Sequence, residues 1–128
     1  SHKGQVRDLL ESIRLEGDDE NSKKRTLLKL ILELSGTILF CSIIEREIFV
    51  RACYKVNLFL PPNIIIVTLE ELVNENPDIF PNLNYYEMKN IDDLNYQIYG
   101  YYPIYHYETA EAFLGCYHYI LETIRSYQ

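Results

Sequence analysis

The chain has 128 residues, of which 48% are hydrophobic and 24% are charged, and its formal net charge is −7. That length and composition allow a core of its own and argue against an intrinsically disordered protein. The acidic balance disfavours nucleic acid as a ligand, because phosphate binding needs clustered Lys and Arg. No apolar run approaches the roughly 18–20 residues that span a bilayer, and the N-terminus lacks the apolar region of a signal peptide. We therefore expect one domain over residues 3–128, in the cytoplasm and without a membrane as partner.

The cysteines and the first two residues fit that expectation. Cys41, Cys53 and Cys116 are odd in number and show no Cys-x-x-Cys spacing, which makes a poor disulfide framework and a poor zinc site. They predict buried, reduced thiols of a cytosolic protein, although a bridge from Cys116 to Cys41 or Cys53 stays open. Ser1-His2, with no Met, is typical of the remnant of a cleaved tag and is left out of the fold prediction.

Helical periodicity dominates the first half of the chain. Apolar residues at helical spacing predict a helix over 4–15, and Ser22 is a suitable N-cap for a second helix over 23–35. The most apolar stretch, residues 37–58, predicts the central helix, because its apolar residues occupy more than one side. Its β-branched content makes a strand the alternative for part of it. Pro61-Pro62 ends this stretch.

Turn and capping residues define the next elements. Residues 63–67, Asn-Ile-Ile-Ile-Val, predict a short strand. Thr68 and Glu71 form a Thr-x-x-Glu capping box, so that a helix begins there, and it should end before Pro77.

The end of the chain predicts two further helices. Asn90 can cap a short helix from Ile91 to Tyr99 that Gly100 closes, with a tyrosine hairpin as the alternative. One continuous apolar stripe predicts the last helix over 108–127. The predicted fold class is therefore mainly α, an irregular helical bundle around helix 37–58. One or two short β-strands, over 63–67 and part of 95–107, are the alternative.

Charge and tyrosine are concentrated in the second half. Residues 61–128 hold only Lys89 and Arg125 against ten acids, and eleven of the twelve Tyr lie there. Acidic side chains steer a basic protein, and Tyr gives a large contact area at low entropic cost. The alternative is that the tyrosines are core and the acids serve solubility. The candidate partner-binding residues are Tyr85, Tyr86, Asp92, Asp93, Tyr96, Tyr99, Tyr101, Tyr102, Tyr105, Glu108 and Glu111.

Tyr101-Tyr102-Pro103 stands just ahead of the last predicted helix, in acidic surroundings. This resembles small helical immunity proteins, which neutralise nuclease bacteriocins, are acidic and carry a Tyr-Tyr-Pro motif before their last helix. The resemblance covers three residues and general character, and this chain is longer than those proteins. It implies that acids draw in a basic enzyme and that the tyrosines hold the contact.

No established catalytic motif, phosphate-binding loop or metal-ligand spacing is present, and we expect neither a cofactor nor a metal. The sequence thus favours a non-enzymatic protein-binding domain, of the inhibitor or immunity-protein kind, with a basic protein partner. One alternative is a structural or regulatory interaction domain excised from a larger protein or complex, with an apolar interface around 37–59. The other is a small enzyme using His118 with Glu111 or Glu122.

Overall fold

Five helices and a two-stranded parallel sheet form the secondary structure of residues 21–83 and 90–128, the residues that the computed structural model describes. In chain order the elements are α1 (Asn21–Leu34), β1 (Thr37–Phe40), α2 (Ile43–Lys55), β2 (Ile65–Thr68), α3 (Leu69–Asn74), α4 (Ile91–Tyr99) and α5 (His106–Ser126). The prediction of a mainly α fold with short strands is confirmed. None of these helices is both long and apolar enough to cross a membrane. The helix predicted over 4–15 lies outside the described residues.

The prediction of one central helix over 37–58 is wrong at its N-terminal end. Residues 37–40 form strand β1, and α2 begins only at Ile43. The boundary is a capping box, in which the Glu45 N–H donates to Ser42 Oγ (3.2 Å) and the Ser42 N–H donates to the Glu45 carboxylate (3.2 Å). Ser42-Ile-Ile-Glu45 is a Ser-x-x-Glu signature. It therefore marked the start of α2 in the sequence, and the apolar periodicity on either side concealed it.

The sheet separates two hydrophobic cores. β1 and β2 run parallel with Thr37 opposite Ile65 and Phe40 opposite Thr68. Alternate residues of a strand point to opposite faces, so the two sides of β1 enter different cores. The α1–α2 core contains Leu28, Ile31, Leu32, Ile38, Phe40, Phe49, Cys53, Val56 and Leu58. The α5 core contains Leu39, Cys41, Leu69, Val73, Phe80, Ile91, Leu94, Ala112, Phe113, Cys116 and Ile120.

Two further predictions are wrong, namely a strand in part of 95–107 and Ser22 as an N-cap, whereas the strand over 63–67 is present. Part of 95–107 was the alternative for a second strand, but these residues contain the end of α4, an extended segment over 101–104 and the start of α5. The strand predicted over 63–67 is present as β2, Ile65–Thr68. Ser22 does not cap its helix, because α1 already includes Asn21, and the Ser22 carbonyl instead accepts the Thr26 hydroxyl (2.9 Å).

Capping residues position α3 and α4 as predicted. The Thr68 side chain accepts the Glu71 N–H (3.2 Å), and α3 ends at Asn74, before Pro77. The Asn90 side chain accepts the Asp93 N–H (3.0 Å) at the start of α4. Gly100 ends α4 in the left-handed conformation, with φ 83°. Because the chain turns at Gly100, the tyrosines that follow α4 return towards it.

Replacing Gly100 with Ala is expected to lower the free energy of unfolding by about 1 kcal/mol, because a Cβ is strained at positive φ. Gly36→Ala is the matched control, since a Cβ there also meets nothing within 4 Å and the φ of Gly36 is not in the left-handed region. Urea denaturation should show Gly36→Ala to be neutral or stabilising. Equal losses for the two variants would contradict the assigned role of Gly100.

All three cysteines are buried free thiols. Cys41 and Cys116 belong to the α5 core and Cys53 to the α1–α2 core, and no disulfide joins them. Burial raises the pKa of Cys53 to about 11 and that of Cys116 to about 12. The thiols of Cys53 and Cys116 are therefore protonated at neutral pH, where the thiolate needed for nucleophilic or metal chemistry is scarce.

Candidate protein-binding surface

The tyrosines of the α4–α5 region lie at the protein surface. Tyr96, Tyr99, Tyr101, Tyr102 and Tyr105 are each between 46% and 58% exposed. The alternative that these five form the core is therefore wrong. They lie on α4, on the extended segment after Gly100 and immediately before α5. We call these five residues, together with Tyr119 of α5, the tyrosine surface. Tyr85 and Tyr86 lie outside the described residues.

Two rings of the tyrosine surface stack on each other. The ring centroids of Tyr96 and Tyr102 are 4.5 Å apart and their planes are inclined by only 11°. Tyr96 lies on α4 and Tyr102 on the extended segment, so the turn at Gly100 brings the two together. Stacking at this separation is a favourable arrangement for an aromatic pair, and it leaves one face of each ring outside the pair.

A second aromatic pair joins α4 to α5. The Tyr99 hydroxyl donates to the carbonyl of Gly115 (2.9 Å), and the Tyr99 ring meets the ring of Tyr119 edge to face at 6.2 Å. Burial, with smaller contributions from Cys116, Tyr101 and Tyr119, raises the pKa of Tyr99. This keeps the hydroxyl protonated as a donor. Tyr119 was missed in the sequence, although its four-residue step from Gly115 places it on that face of α5.

The side chain of Asn95 links the extended segment to α5. It is fully buried, its Nδ2 donates to the carbonyl of Tyr101 (3.0 Å), and its Oδ1 accepts the thiol of Cys116 (3.8 Å). Sequence reasoning missed this residue as well. The signal was an amide at a helical step from both Ile91 and Ile98, on the buried face of α4. A buried polar side chain at such a place needs partners, and within the described residues Asn95 has these two.

Among the predicted acidic residues, Glu108 binds backbone groups, whereas Asp92, Asp93 and Glu111 are partly or fully exposed. The Glu108 carboxylate accepts the backbone N–H of Ile104 (2.8 Å) and of Tyr105 (3.4 Å), so it shapes the start of α5. Asp92 and Asp93 lie in the first turn of α4, where the helix dipole favours negative charge, and both are partly exposed. Glu111 is exposed on α5. Neither Asp93 nor Glu111 forms an ion pair within the described residues.

Positive charge is nearly absent from this half of the protein. Among the described residues after position 60, Arg125 is the sole Lys or Arg, and it pairs with Glu122 at 3.0 Å. The tyrosine surface therefore belongs to a part of the chain in which acidic side chains outnumber basic ones. Such a region raises the rate at which a basic partner is encountered.

The residues of the alternative enzyme hypothesis all lie on α5. His118 and Glu111 are exposed on α5, and Glu122 is the carboxylate that pairs with Arg125. Within 21–83 and 90–128, no three His, Cys, Asp or Glu side chains converge to hold a metal ion.

A separate polar cluster lies where both strands end. The Ile43 N–H donates to the Glu70 carboxylate (2.8 Å), and the Glu71 carboxylate accepts from the Thr68 hydroxyl (2.8 Å) and from the guanidinium of Arg46. These groups bind each other across the starts of α2 and α3. The cluster therefore braces two helix N-termini, and its members satisfy one another.

An exposed apolar patch occurs on the α2 side of the molecule. Ile44, Tyr54 and Phe59 are 71%, 60% and 77% exposed, and the Tyr54 and Phe59 rings meet edge to face at 6.3 Å. Ile65 at the start of β2 is also exposed. These residues lie in and just beyond the 37–59 stretch that the sequence marked as an alternative interface.

Comparison with known proteins identifies no relative. No protein-family model matches the chain, and neither a curated protein nor a solved structure is significantly similar to it. The likeness to immunity proteins therefore stays confined to Tyr101-Tyr102-Pro103 and the acidic character. The described residues form a mainly α fold in which a two-stranded parallel sheet separates two hydrophobic cores.

Proposed function

We propose that the chain is a non-enzymatic protein-binding domain, of the inhibitor or immunity-protein kind. In this proposal the tyrosine surface engages a basic protein partner. Asp93 and Glu111 attract the partner, and the exposed rings supply the contact area.

One observation carries the proposal: exposed tyrosines are concentrated in a half of the chain that holds a single described base. Tyr96, Tyr101 and Tyr102 each expose about half of their surface. Exposed aromatic residues that are held rigid are enriched among the side chains that dominate binding energy. Negative charge around them selects a partner of positive charge.

The first test is capture of a partner by the immobilised chain at low and at high salt. A basic partner should be retained at low salt and released at high salt, because screening weakens attraction between exposed charges. A partner that is not basic and is unaffected by salt would contradict the electrostatic part of the proposal.

Tyr101→Ala and Tyr102→Ala are each expected to weaken partner binding by more than about 1 kcal/mol, as truncation of a central aromatic contact does. Calorimetric titration of the captured partner measures the loss, and thermal unfolding checks that the fold is kept. Tyr54→Ala is the matched control, because Tyr54 is equally exposed at 60% but lies on α2. If Tyr101→Ala and Tyr102→Ala both unfold the domain and spare binding, the proposal fails.

The exposed apolar patch supports a second candidate function, an interaction domain of a larger assembly. Ile44, Tyr54 and Phe59 would then form the interface, since exposed apolar surface of this kind marks contact sites. The same variants separate the two functions. A salt-insensitive partner that is lost in Tyr54→Ala and kept in Tyr102→Ala would favour this candidate.

A further inference from the structure

We propose that the partner contributes an arginine whose guanidinium stacks on the free face of Tyr102 and pairs with the carboxylate of Asp93. This inference rests on the proposed function and specifies which basic side chain the tyrosine surface takes. It follows from the aromatic stack, its rigid support and the charge beside it.

The stack offers one ring face to a partner. Tyr96 covers one face of Tyr102 at 4.5 Å, yet Tyr102 remains 54% exposed. Its exposure therefore comes from the opposite face and the ring edge. An exposed tyrosine face attracts a cation through the negative charge of its π system, and a guanidinium can lie flat on it.

The ring is held in place before any partner arrives. Gly100 sets the turn, and Asn95 binds the carbonyl of Tyr101 at 3.0 Å, directly before Tyr102. Tyr96, on a helix that is buried at Leu94 and Asn95, backs the ring from the other side. A side chain that is already ordered loses little entropy on binding, so the contact is stronger for the same area.

A carboxylate lies about one helical turn from Tyr96, on α4. Asp93 precedes Tyr96 by three residues on α4, so both side chains lie on one face of the helix. Asp93 forms no ion pair within the described residues. No described Lys or Arg lies over Tyr96 or Tyr102, and Arg125 is engaged by Glu122. In this proposal the partner supplies the cation that the described residues do not place there.

Arginine fits this arrangement better than lysine. The guanidinium is planar, stacks on an aromatic ring and still presents N–H groups in its plane to a carboxylate. The ammonium of lysine is a compact and strongly hydrated charge, so it gains less from the ring. Attraction by net charge alone would treat the two residues alike.

The test is an NMR titration of the chain with two blocked peptides, Gly-Arg-Gly-Arg-Gly and Gly-Lys-Gly-Lys-Gly. We expect the arginine peptide to bind about threefold more tightly, and its shifts to centre on the amides of residues 93–102. Tyr102→Leu and Asp93→Asn should each remove the preference for arginine. Tyr127→Leu is the control and should keep it, since Tyr127 is exposed at the end of α5 and lies outside the tyrosine surface.

Equal binding of the two peptides, shifts centred away from 93–102, or no binding of either peptide would each overturn the arginine inference. None of these results decides the proposed function, which the partner capture and the Tyr101→Ala and Tyr102→Ala variants test separately. Loss of binding in those variants, without an arginine preference, would leave the tyrosine surface as the interface and remove only the arginine contact.

Discussion

Replacing Phe113 with Ala is expected to lower the free energy of unfolding by about 3–5 kcal/mol, the range found when a buried aromatic ring is removed. Phe113 is 2% exposed on α5 and shares the α5 core with Leu39 of β1 and Leu94 of α4. The substitution leaves a cavity where α4, α5 and the sheet meet. Urea denaturation followed by circular dichroism measures the loss.

Phe59→Ala is the matched control for that experiment, because it removes the same ring from a position that is 77% exposed. Its effect should stay within about 0.5 kcal/mol. Phe49→Ala should match Phe113→Ala, since Phe49 is fully buried in the α1–α2 core. Similar effects of Phe59→Ala and Phe113→Ala would contradict the assignment of Phe113 to the core.

Asn95→Ala is expected to cost about 1–3 kcal/mol of stability, because it leaves the carbonyl of Tyr101 and the buried thiol of Cys116 without their partner. It should also loosen the stack of Tyr96 and Tyr102, which would appear in NMR spectra as loss of the ring-current shifts of Tyr102. Affinity for a partner should then fall, since the ring is no longer held in its binding position.

Asn90→Ala separates these effects from a general weakening of α4. It removes the N-cap of the same helix, at a cost of about 1 kcal/mol, but leaves Asn95 and its bond to Tyr101 in place. The ring-current shifts of Tyr102 should persist in this variant. Loss of the shifts in Asn90→Ala, or their survival in Asn95→Ala, would show that Asn95 does not position the tyrosine surface.

The elements predicted correctly are those with local signals. α4 is bounded by Asn90 and Gly100, and each acts on backbone groups within one turn of itself. Thr68 likewise caps α3 through Glu71. Strand β1 could not be assigned in the same way, because Thr37 and Phe40 bond to β2, which follows only after α2. Without its partner strand, the apolar sequence of β1 fits a buried helix equally well.

The sequence predicted which types of residue form the candidate surface, but it did not predict how they are arranged. Tyrosine is stable both in a core and at a surface, so the sequence could not show that Tyr101 and Tyr102 are exposed. The roles of Asn95 and Tyr119 arise from contact between α4 and α5, which no short-range pattern records. The position of Asn95 on an apolar face of its helix was the sequence feature that indicated a buried, hydrogen-bonded side chain.

Because successive residues of β1 enter different cores, evolution should constrain the length of this strand more tightly than its sequence. Ile38 and Phe40 enter the α1–α2 core while Leu39 enters the α5 core. Insertion or deletion of one codon within residues 37–40 would exchange the two sets and place each side chain among the wrong neighbours. Exchanges between apolar residues of similar volume there are far milder. The sequence of the strand should therefore vary during evolution while its length is kept, whereas the exposed turn at residues 62–63 can change in length at little energetic cost.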